Sequence, residues 1–210
     1  MNISQTLEGI WTWIIGKFSN MDKTFLSRKS TSQPATTTVS QIESHPISLK
    51  NLQKSLEELV YADFKEHIKL REGEVIDKTT GKHKVYKDSL GKPTAGWGHL
   101  IRPEDKLKVG DLVPLSRVEK WFKEDSKWAL EAAYRQAKEL GHPSNRKLIV
   151  ILASVNYQLG TGWTQTFSRT YAHLKNKRYN NAIHNLRRSL WYRQTPVRVN
   201  DFIEVIETLK

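Results

Sequence analysis

Leu70-Arg71-Glu72-Gly73-Glu74-Val75-Ile76-Asp77-Lys78-Thr79-Thr80-Gly81-Lys82-His83-Lys84-Val85-Tyr86-Lys87-Asp88-Ser89-Leu90-Gly91-Lys92-Pro93-Thr94-Ala95-Gly96-Trp97-Gly98-His99-Leu100 is the stretch from which the fold is read. Glu72 closes an apolar-periodic segment, and Gly73 follows at once, the residue that most readily takes the left-handed conformation ending a helix. A carboxyl group therefore stands at a helix terminus. Two turn signals, Thr79-Thr80-Gly81-Lys82 and Ser89-Leu90-Gly91-Lys92, divide the remainder into extended runs at Val75-Ile76, Val85-Tyr86 and Thr94-Ala95. The spacing predicts a small antiparallel three-stranded sheet. Its middle strand ends in Asp88, and its third begins at Thr94 behind Pro93, which cannot donate to a ladder.

A helix-end carboxyl facing a sheet-borne carboxylate, with a hydroxyl at Thr94, is the arrangement that glycoside cleavage requires. One acid protonates the leaving oxygen, and one carboxylate stabilises positive charge or activates water. Taken singly, a Glu beside an Arg is more often a solvated charge, and an Asp before a turn more often a local turn acceptor. The joint pattern is more specific. Glu-Gly at 72–73, Tyr-Lys-Asp-x-x-Gly at 86–91 and Thr-x-Gly-x-Gly-His-Leu at 94–100 resemble the phage-type lysozymes of glycoside hydrolase family 24.

Composition bounds the alternatives. The 210 residues allow one domain of ordinary size with an appendage. With no cysteine, thiol nucleophiles, thiolate metal sites and disulfides are excluded. From residue 48 onward there are 30 Lys and Arg against 19 Asp and Glu, so the globular part is basic and an anionic partner is expected. The bases are scattered, with Arg187-Arg188 the only Arg pair, which speaks for a solvated face and against specific nucleic-acid binding.

Residues 1–20 place Ile3, Leu7, Ile10, Trp11, Ile14, Ile15 and Phe18 at helical spacing, predicting an amphipathic N-terminal helix. Its apolar core is far shorter than the roughly 20 residues that span a bilayer. The pattern is that of a helix lying at a membrane interface, or equally of one packed on the domain or a partner such as a virion component. Residues 21–46 are rich in Ser, Thr, Gln and Pro and are read as a flexible linker, leaving 47–210 as the catalytic domain.

Within that domain a helical pattern runs from Leu49 through Leu52, Leu56, Leu59, Val60, Phe64, Ile68 and Leu70, as one helix or two. Ser116-Arg117-Val118-Glu119 reads as a capping box, opening a helix with Trp121, Phe122, Trp128, Ala132 and Ala133 on its apolar face and ending at Gly141. Leu148 to Val155 is apolar on nearly every side, predicting a buried central helix stopped by Gly160 and Gly162. Shorter helices are expected over 168–176 and 180–190. Thr195 as N-cap and Pro196 at the first helical position open a last helix through Leu209. The fold class is α+β: a mainly helical lysozyme-like fold with a small sheet lobe.

The motifs Val155-Asn156-Tyr157-Gln158-Leu159-Gly160 and Ser189-Leu190-Trp191-Tyr192-Arg193-Gln194-Thr195-Pro196-Val197-Arg198 continue the resemblance in register, so that it covers about residues 60 to 209. It implies cleavage of the bond between N-acetylmuramic acid and N-acetylglucosamine in bacterial peptidoglycan. Glu72 would be general acid, Asp88 the second carboxylate, and Thr94 a holder of the attacking water. Substrate contacts fall on Leu100, Tyr157, Gln158, Thr170 and Asn185. Supporting roles fall on Arg198 beside Glu72, and on His99 with Asp125 opposite it. An inverting outcome corresponds to a carboxyl separation of roughly 6.5 to 9.5 Å. No cofactor and no metal are expected, because the seven histidines form no zinc-hydrolase pair. The domain is expected to be monomeric and phage-encoded, reaching the wall from the host cytoplasm at lysis or from the virion. The chain departs from the family pattern between Glu72 and Asp88, where several extra residues lengthen the first hairpin. A lytic transglycosylase, which needs no second carboxylate, and a non-catalytic basic wall-binding protein are the alternatives. Asp88 and Thr94 argue against both.

Overall fold

The computed structural model describes residues 49–88 and 91–210. The helix expected over 1–20 and the linker expected over 21–46 lie outside these residues. In chain order the elements are α1 (Leu49–Glu72), β1 (His83–Lys84), β2 (Tyr86–Lys87), β3 (Pro93–Ala95), β4 (His99–Leu100), β5 (Leu112–Val113), α2 (Leu115–Glu139), α3 (Arg146–Leu159), α4 (Trp163–Thr166), α5 (Ser168–Lys175), α6 (Tyr179–Arg187), α7 (Leu190–Gln194) and α8 (Pro196–Glu207). This is the α+β lysozyme-like arrangement that the sequence predicts.

The pattern from Leu49 to Glu72 resolves into one helix of 24 residues. Val60, Phe64 and Ile68, spaced by four, are wholly buried, and each contributes about 1.5–3 kcal/mol of apolar burial. Leu59 and Leu70, counted with the apolar pattern in sequence, are instead 48% and 71% exposed, because they fall on the opposite face. Two Arg–Asp clamps fix α1 to the helical lobe. Asp63 receives Arg146 Nε and Nη2, both at 2.6 Å, and Arg71 Nε and Nη2 reach the Asp201 carboxylate of α8 at 2.6 and 2.7 Å.

The sheet lobe has a different strand set from the one expected. The three-stranded antiparallel sheet is β2-β3-β4, with Tyr86 opposite Thr94 and Thr94 opposite Leu100. Val75-Ile76 contributes only an isolated bridge from Ile76 to His83, and β1 pairs instead with β5. The third strand of the sheet is His99–Leu100, and Pro93 opens the central strand β3, where a missing donor is tolerated. The turn from β3 to β4 runs through Gly96 (φ 61) and Gly98 (φ 93). A Cβ on Gly96 would lie 2.5 Å from Val118 Cγ1, so only glycine lets the turn rest on α2.

α2 begins at Leu115 with Pro114 as N-cap and no side-chain capping bond, so the capping box expected at Ser116 does not form. Pro114, already extended, sets the boundary ahead of it. The buried face of α2 carries Trp121, Phe122, Ala132 and Ala133, as expected, whereas Trp128 is 42% exposed. Phe122 meets Phe64 of α1 (5.5 Å between centroids) and Trp97 of the sheet turn (5.6 Å, edge-on), so one ring joins both lobes.

α3 is the buried central helix, capped by the Asn145 side chain and closed by Gly160 at φ 78. Gly162, expected to help stop it, instead opens the short helix α4. The core helix is not wholly apolar. Asn156 is fully buried; its Oδ1 accepts from Gln136 Nε2 (3.0 Å) and Trp163 Nε1 (2.9 Å), and its Nδ2 donates to Gln136 Oε1 (3.0 Å) and Ala129 O (3.1 Å). The region expected as one helix over 180–190 breaks into α6 and α7, because Ser189 caps a new start by accepting from Tyr192 N at 3.0 Å. Thr195 stands at the N-cap of α8 ahead of Pro196, but makes no capping bond; its hydroxyl donates to Trp191 O at 3.3 Å.

Replacing Asn156 by Ala strips the partner from both ends of the buried Gln136 amide and from the Trp163 indole N–H, each worth about 1–3 kcal/mol when left unsatisfied. Urea unfolding at pH 7 is expected to show a loss of about 3 kcal/mol or more; a loss below about 1 kcal/mol would mean that the buried network does not hold the core.

Candidate active site

Glu72 is the last residue of α1, and Gly73 behind it takes φ 69, which turns the chain away and leaves the carboxyl at the helix end. Oε1 is bound by Arg198 Nη2 of α8. Arg198 is 9% exposed, and its Nη1 is buried without a partner among the described residues. On the other side the backbone of Gly98 comes close, since a Cβ there would stand 3.7 Å from Glu72 Oε2 and 3.6 Å from Tyr157 Cε1. Tyr157, from the central helix, donates its hydroxyl to Trp97 O at 3.0 Å. Burial first, and then the charges of Asp125 and Glu72, raise its pKa against the opposing Arg198, so it is a fixed neutral donor.

Asp88 follows β2 directly, where Lys92 N donates to its Oδ1 at 2.8 Å and Gly91 N to its carbonyl at 2.9 Å. The carboxylate is thereby the turn acceptor that its sequence context suggested. Thr94 is buried one strand away, and its Oγ1 donates to Lys92 O at 3.1 Å. The donor of that hydroxyl is thus used, and its lone pairs remain for a bonded water. Tyr86, read in sequence as a strand residue and as the start of the Tyr-Lys-Asp motif, stands opposite Thr94 in the sheet register. Burial first, then the charges of Glu72 and of Asp88, raise its phenol pKa.

Besides Tyr157 at Gly98, the expected substrate positions separate into three places. Leu100 is 45% exposed and lies opposite Thr94 in the sheet register. Thr170 and Asn185 line one pocket of about 500 Å³ together with Arg169, His184 and Arg188. Gln158 is engaged at both ends of its amide: Oε1 accepts from Trp191 Nε1 at 3.0 Å and Nε2 donates to Thr195 Oγ1 at 3.2 Å. Its side chain ties α3 to the start of α8.

His99 and Asp125 meet as expected, with Nδ1 2.6 Å from Asp125 Oδ2. Sequence reasoning missed the second carboxylate: Nε2 lies 3.2 Å from Asp105 Oδ2, in a 3-10 turn over Pro103–Asp105 that Arg117 also braces. The only signal for it was proline opening a short turn just past His99. The ring stacks on Trp121 at 4.1 Å. With a carboxylate on each nitrogen, His99 is a structural cation. Burial of the ring lowers its pKa, but the hydrogen bonds and charges of Asp125 and Asp105 outweigh that and leave it raised. Asp105 is shifted down: burial opposes the shift, and the Arg102 N–H, His99 and Arg117 overcome it. Among the described residues no group of three His, Cys, Asp or Glu is disposed to hold a metal ion.

A carboxyl clamped at a helix end, beside a short-stranded sheet and under a buried central helix, is the architecture of a lysozyme-class glycoside hydrolase. The phage lysozyme family profile matches residues 78–199, more than half of the chain, and the chain belongs to that family of peptidoglycan-degrading lysozymes. Glu72 lies just ahead of the matched span, tied to it by Arg198 inside. Peptidoglycan hydrolase gp36 of Pseudomonas phage phiKMV is 32% identical over 120 residues, which are 57% of this chain but 13% of that protein. Probable T4-type lysozymes 2 and 1 of Dictyostelium discoideum are 29% and 27% identical, each over 70% of this chain and 95% of their own length.

The His99 cluster fixes a pH dependence. A raised folded pKa gives stability that is complete below the unfolded histidine value of about 6.5 and is lost as pH rises through the folded value. For Asp105, whose pKa is depressed, the contribution is present above the unfolded value of about 3.9 and is lost as pH falls through the folded one. His99→Asn is therefore expected to cost most near pH 5, about 3 kcal/mol by urea unfolding, and distinctly less at pH 9, with modest loss of activity. A folded but inactive variant would make His99 catalytic instead.

Proposed function

We propose that the chain hydrolyses the β-1,4 bond between N-acetylmuramic acid and N-acetylglucosamine in peptidoglycan, with inversion. Glu72 is the general acid. Arg198 holds Oε1, so the oxygen on the Gly98 side, Oε2, carries the proton donated to the leaving glycosidic oxygen. Asp88 is the opposing carboxylate, and it draws the proton from a water that also donates to the Thr94 oxygen; that water attacks the anomeric carbon from the far face. Leu100, Tyr157, Thr170 and Asn185 line the glycan path, and Gln158 serves it by bracing the base of α8. The observation that supports this reading is the family match over residues 78–199, with Arg198 from inside that span bound to Glu72 Oε1 at the end of α1.

The enzyme is read as phage-encoded and as acting on the wall at lysis or from the virion. Residues 1–20 localise it by an apolar helical face, and residues 21–46 tether it. Among the described residues no helix is long and apolar enough to cross a membrane.

Glu72→Gln is expected to fold normally and to clear a bacterial cell-wall suspension about 10² to 10⁴ times more slowly. Asp88→Asn is expected to be similarly damaged, and Asp88→Cys, which restores an ionisable group, to keep part of the rate. Native-rate clearing by Glu72→Gln removes the assignment, and a 1,6-anhydro end on the products would indicate transglycosylation. Deleting residues 1–45 is expected to leave turnover on isolated peptidoglycan unchanged and to abolish co-sedimentation with anionic vesicles; lost turnover would mean that the segment packs on the domain.

A further inference from the structure

Two residues behind Glu72, a second carboxylate reaches across to the sheet. Glu74 Oε2 accepts the indole N–H of Trp97 at 3.1 Å, and Trp97 stands between Gly96 and Gly98 in the turn from β3 to β4. The carbonyl of Trp97 accepts the Tyr157 hydroxyl at 3.0 Å, and the next residue, Gly98, is the one that passes against Glu72 Oε2. These contacts close a ring. It runs from Glu72 through Gly73 to Glu74, across to Trp97, one residue along the turn to Gly98, and back to the Glu72 carboxyl.

The indole N–H is the single polar group of a buried side chain, and Glu74 is its partner. Around it the ring meets Phe122 and His83 edge-on, and Lys65 and Lys69 lie over its face at 5.9 and 5.5 Å. Neither lysine draws the Glu74 carboxylate away, because Lys65 pairs with Glu119 and Lys69 with Glu66. His83 Nδ1 stands 3.7 Å from the same Oε2 and is buried without a hydrogen-bond partner among the described residues. Burial lowers the His83 pKa against the pull of Glu74, so at neutral pH no ion pair competes with the indole for that oxygen. Gly98 has no side chain of its own to anchor the turn. Its place is set by what holds Trp97: Tyr157 at the carbonyl and Glu74 at the indole.

We propose that Glu74 is a positioning residue for the hydrolysis proposed above: by holding Trp97 it keeps the Gly98 backbone against Glu72 Oε2 and fixes the oxygen that delivers the proton. The inference rests on Glu72 being the general acid. Arg198 grips only Oε1, so the rotation of the carboxyl is limited on the other side by the backbone at Gly98. A displacement of about 1 Å at such a point can cost about 10²-fold in rate. Glu74 acts through Trp97 and not on the glycan.

The test measures kcat and KM on soluble, uncrosslinked peptidoglycan strands for the full chain and three variants. Glu74→Leu removes the acceptor, Trp97→Phe removes the N–H and keeps a ring, and Glu74→Gln keeps a carbonyl acceptor. In the first two kcat is expected to fall about tenfold or more with KM changed less than about twofold, and combining them is expected to add no further fall. Glu74→Gln is expected to keep most of the native kcat. In NMR spectra the Gly98 amide is expected to move in Glu74→Leu and to stay in place in Glu74→Gln. A native kcat in Glu74→Leu, a Glu74→Gln variant as slow as Glu74→Leu, or a loss confined to KM overturns the proposal. If Glu74→Leu does not fold, Trp97→Phe against the native chain decides by the same criteria. Glu72→Gln, assayed alongside, separates this inference from the reading beneath it. A slow Glu72→Gln with an unimpaired Glu74→Leu removes the positioning role alone, whereas a native-rate Glu72→Gln removes the acid and the positioning role with it.

Discussion

The bond between Glu72 and Arg198 joins the first described helix to the last, 126 residues apart, and the geometry of the cleft depends on it. A carboxyl on the final residue of a helix has no next turn to lean on and would otherwise sample several rotamers. One turn along α8, Asp201 takes the neighbouring Arg71, so adjacent residues of α1 carry opposite charges and meet opposite charges in reversed order. The alternation fixes register: sliding or rotating either helix would bring like charges together. Because these groups are largely removed from water, losing one partner leaves the other stranded, at about 3–5 kcal/mol for a fully buried pair.

The second constraint is steric. Between β3 and β4 the chain must pass close to α2 at Gly96 and close to Glu72 and Tyr157 at Gly98. A side chain at Gly96 would collide with Val118. At Gly98 the strain lies in the backbone, φ 93, more than in crowding. These two glycines let the sheet that bears Thr94 come up against the helix end that bears Glu72. Trp97 between them is held from both sides, its indole N–H donating to Glu74 Oε2 at 3.1 Å and its ring meeting Phe122 edge-on.

Much of this was legible in the sequence where one physical cause dominated. The apolar run 148–155 could only be a buried helix, and Gly73 behind Glu72 could only end one. The expectations that failed did so where two causes competed. Val75-Ile76 has strand propensity, but the long first hairpin leaves it a single bridge to His83, and the real third strand, His99–Leu100, is too short to show alternation. Ser116 and Glu119 have capping-box spacing, but Pro114 had already fixed the helix start. Trp128 followed the apolar count of α2, yet points off its buried arc. Asp105 was marked by nothing beyond the proline-opened turn past His99, because its importance lies in what the fold brings beside it, the second nitrogen of the His99 ring.

α1 has a mechanical side. Its 24 residues form an unbroken rod of about 36 Å, with everything that precedes the domain attached at one end and Glu72 at the other. A pull on the chain ahead of Leu49 is carried along that rod and not absorbed by a loop. The Arg146 clamp on Asp63 stands near its middle and the Asp201 clamp on Arg71 one residue before the acid, so the load is grounded in the helical lobe before it reaches Glu72. Such a rod lets an enzyme be held by its leading segment under tension while its cleft keeps its shape.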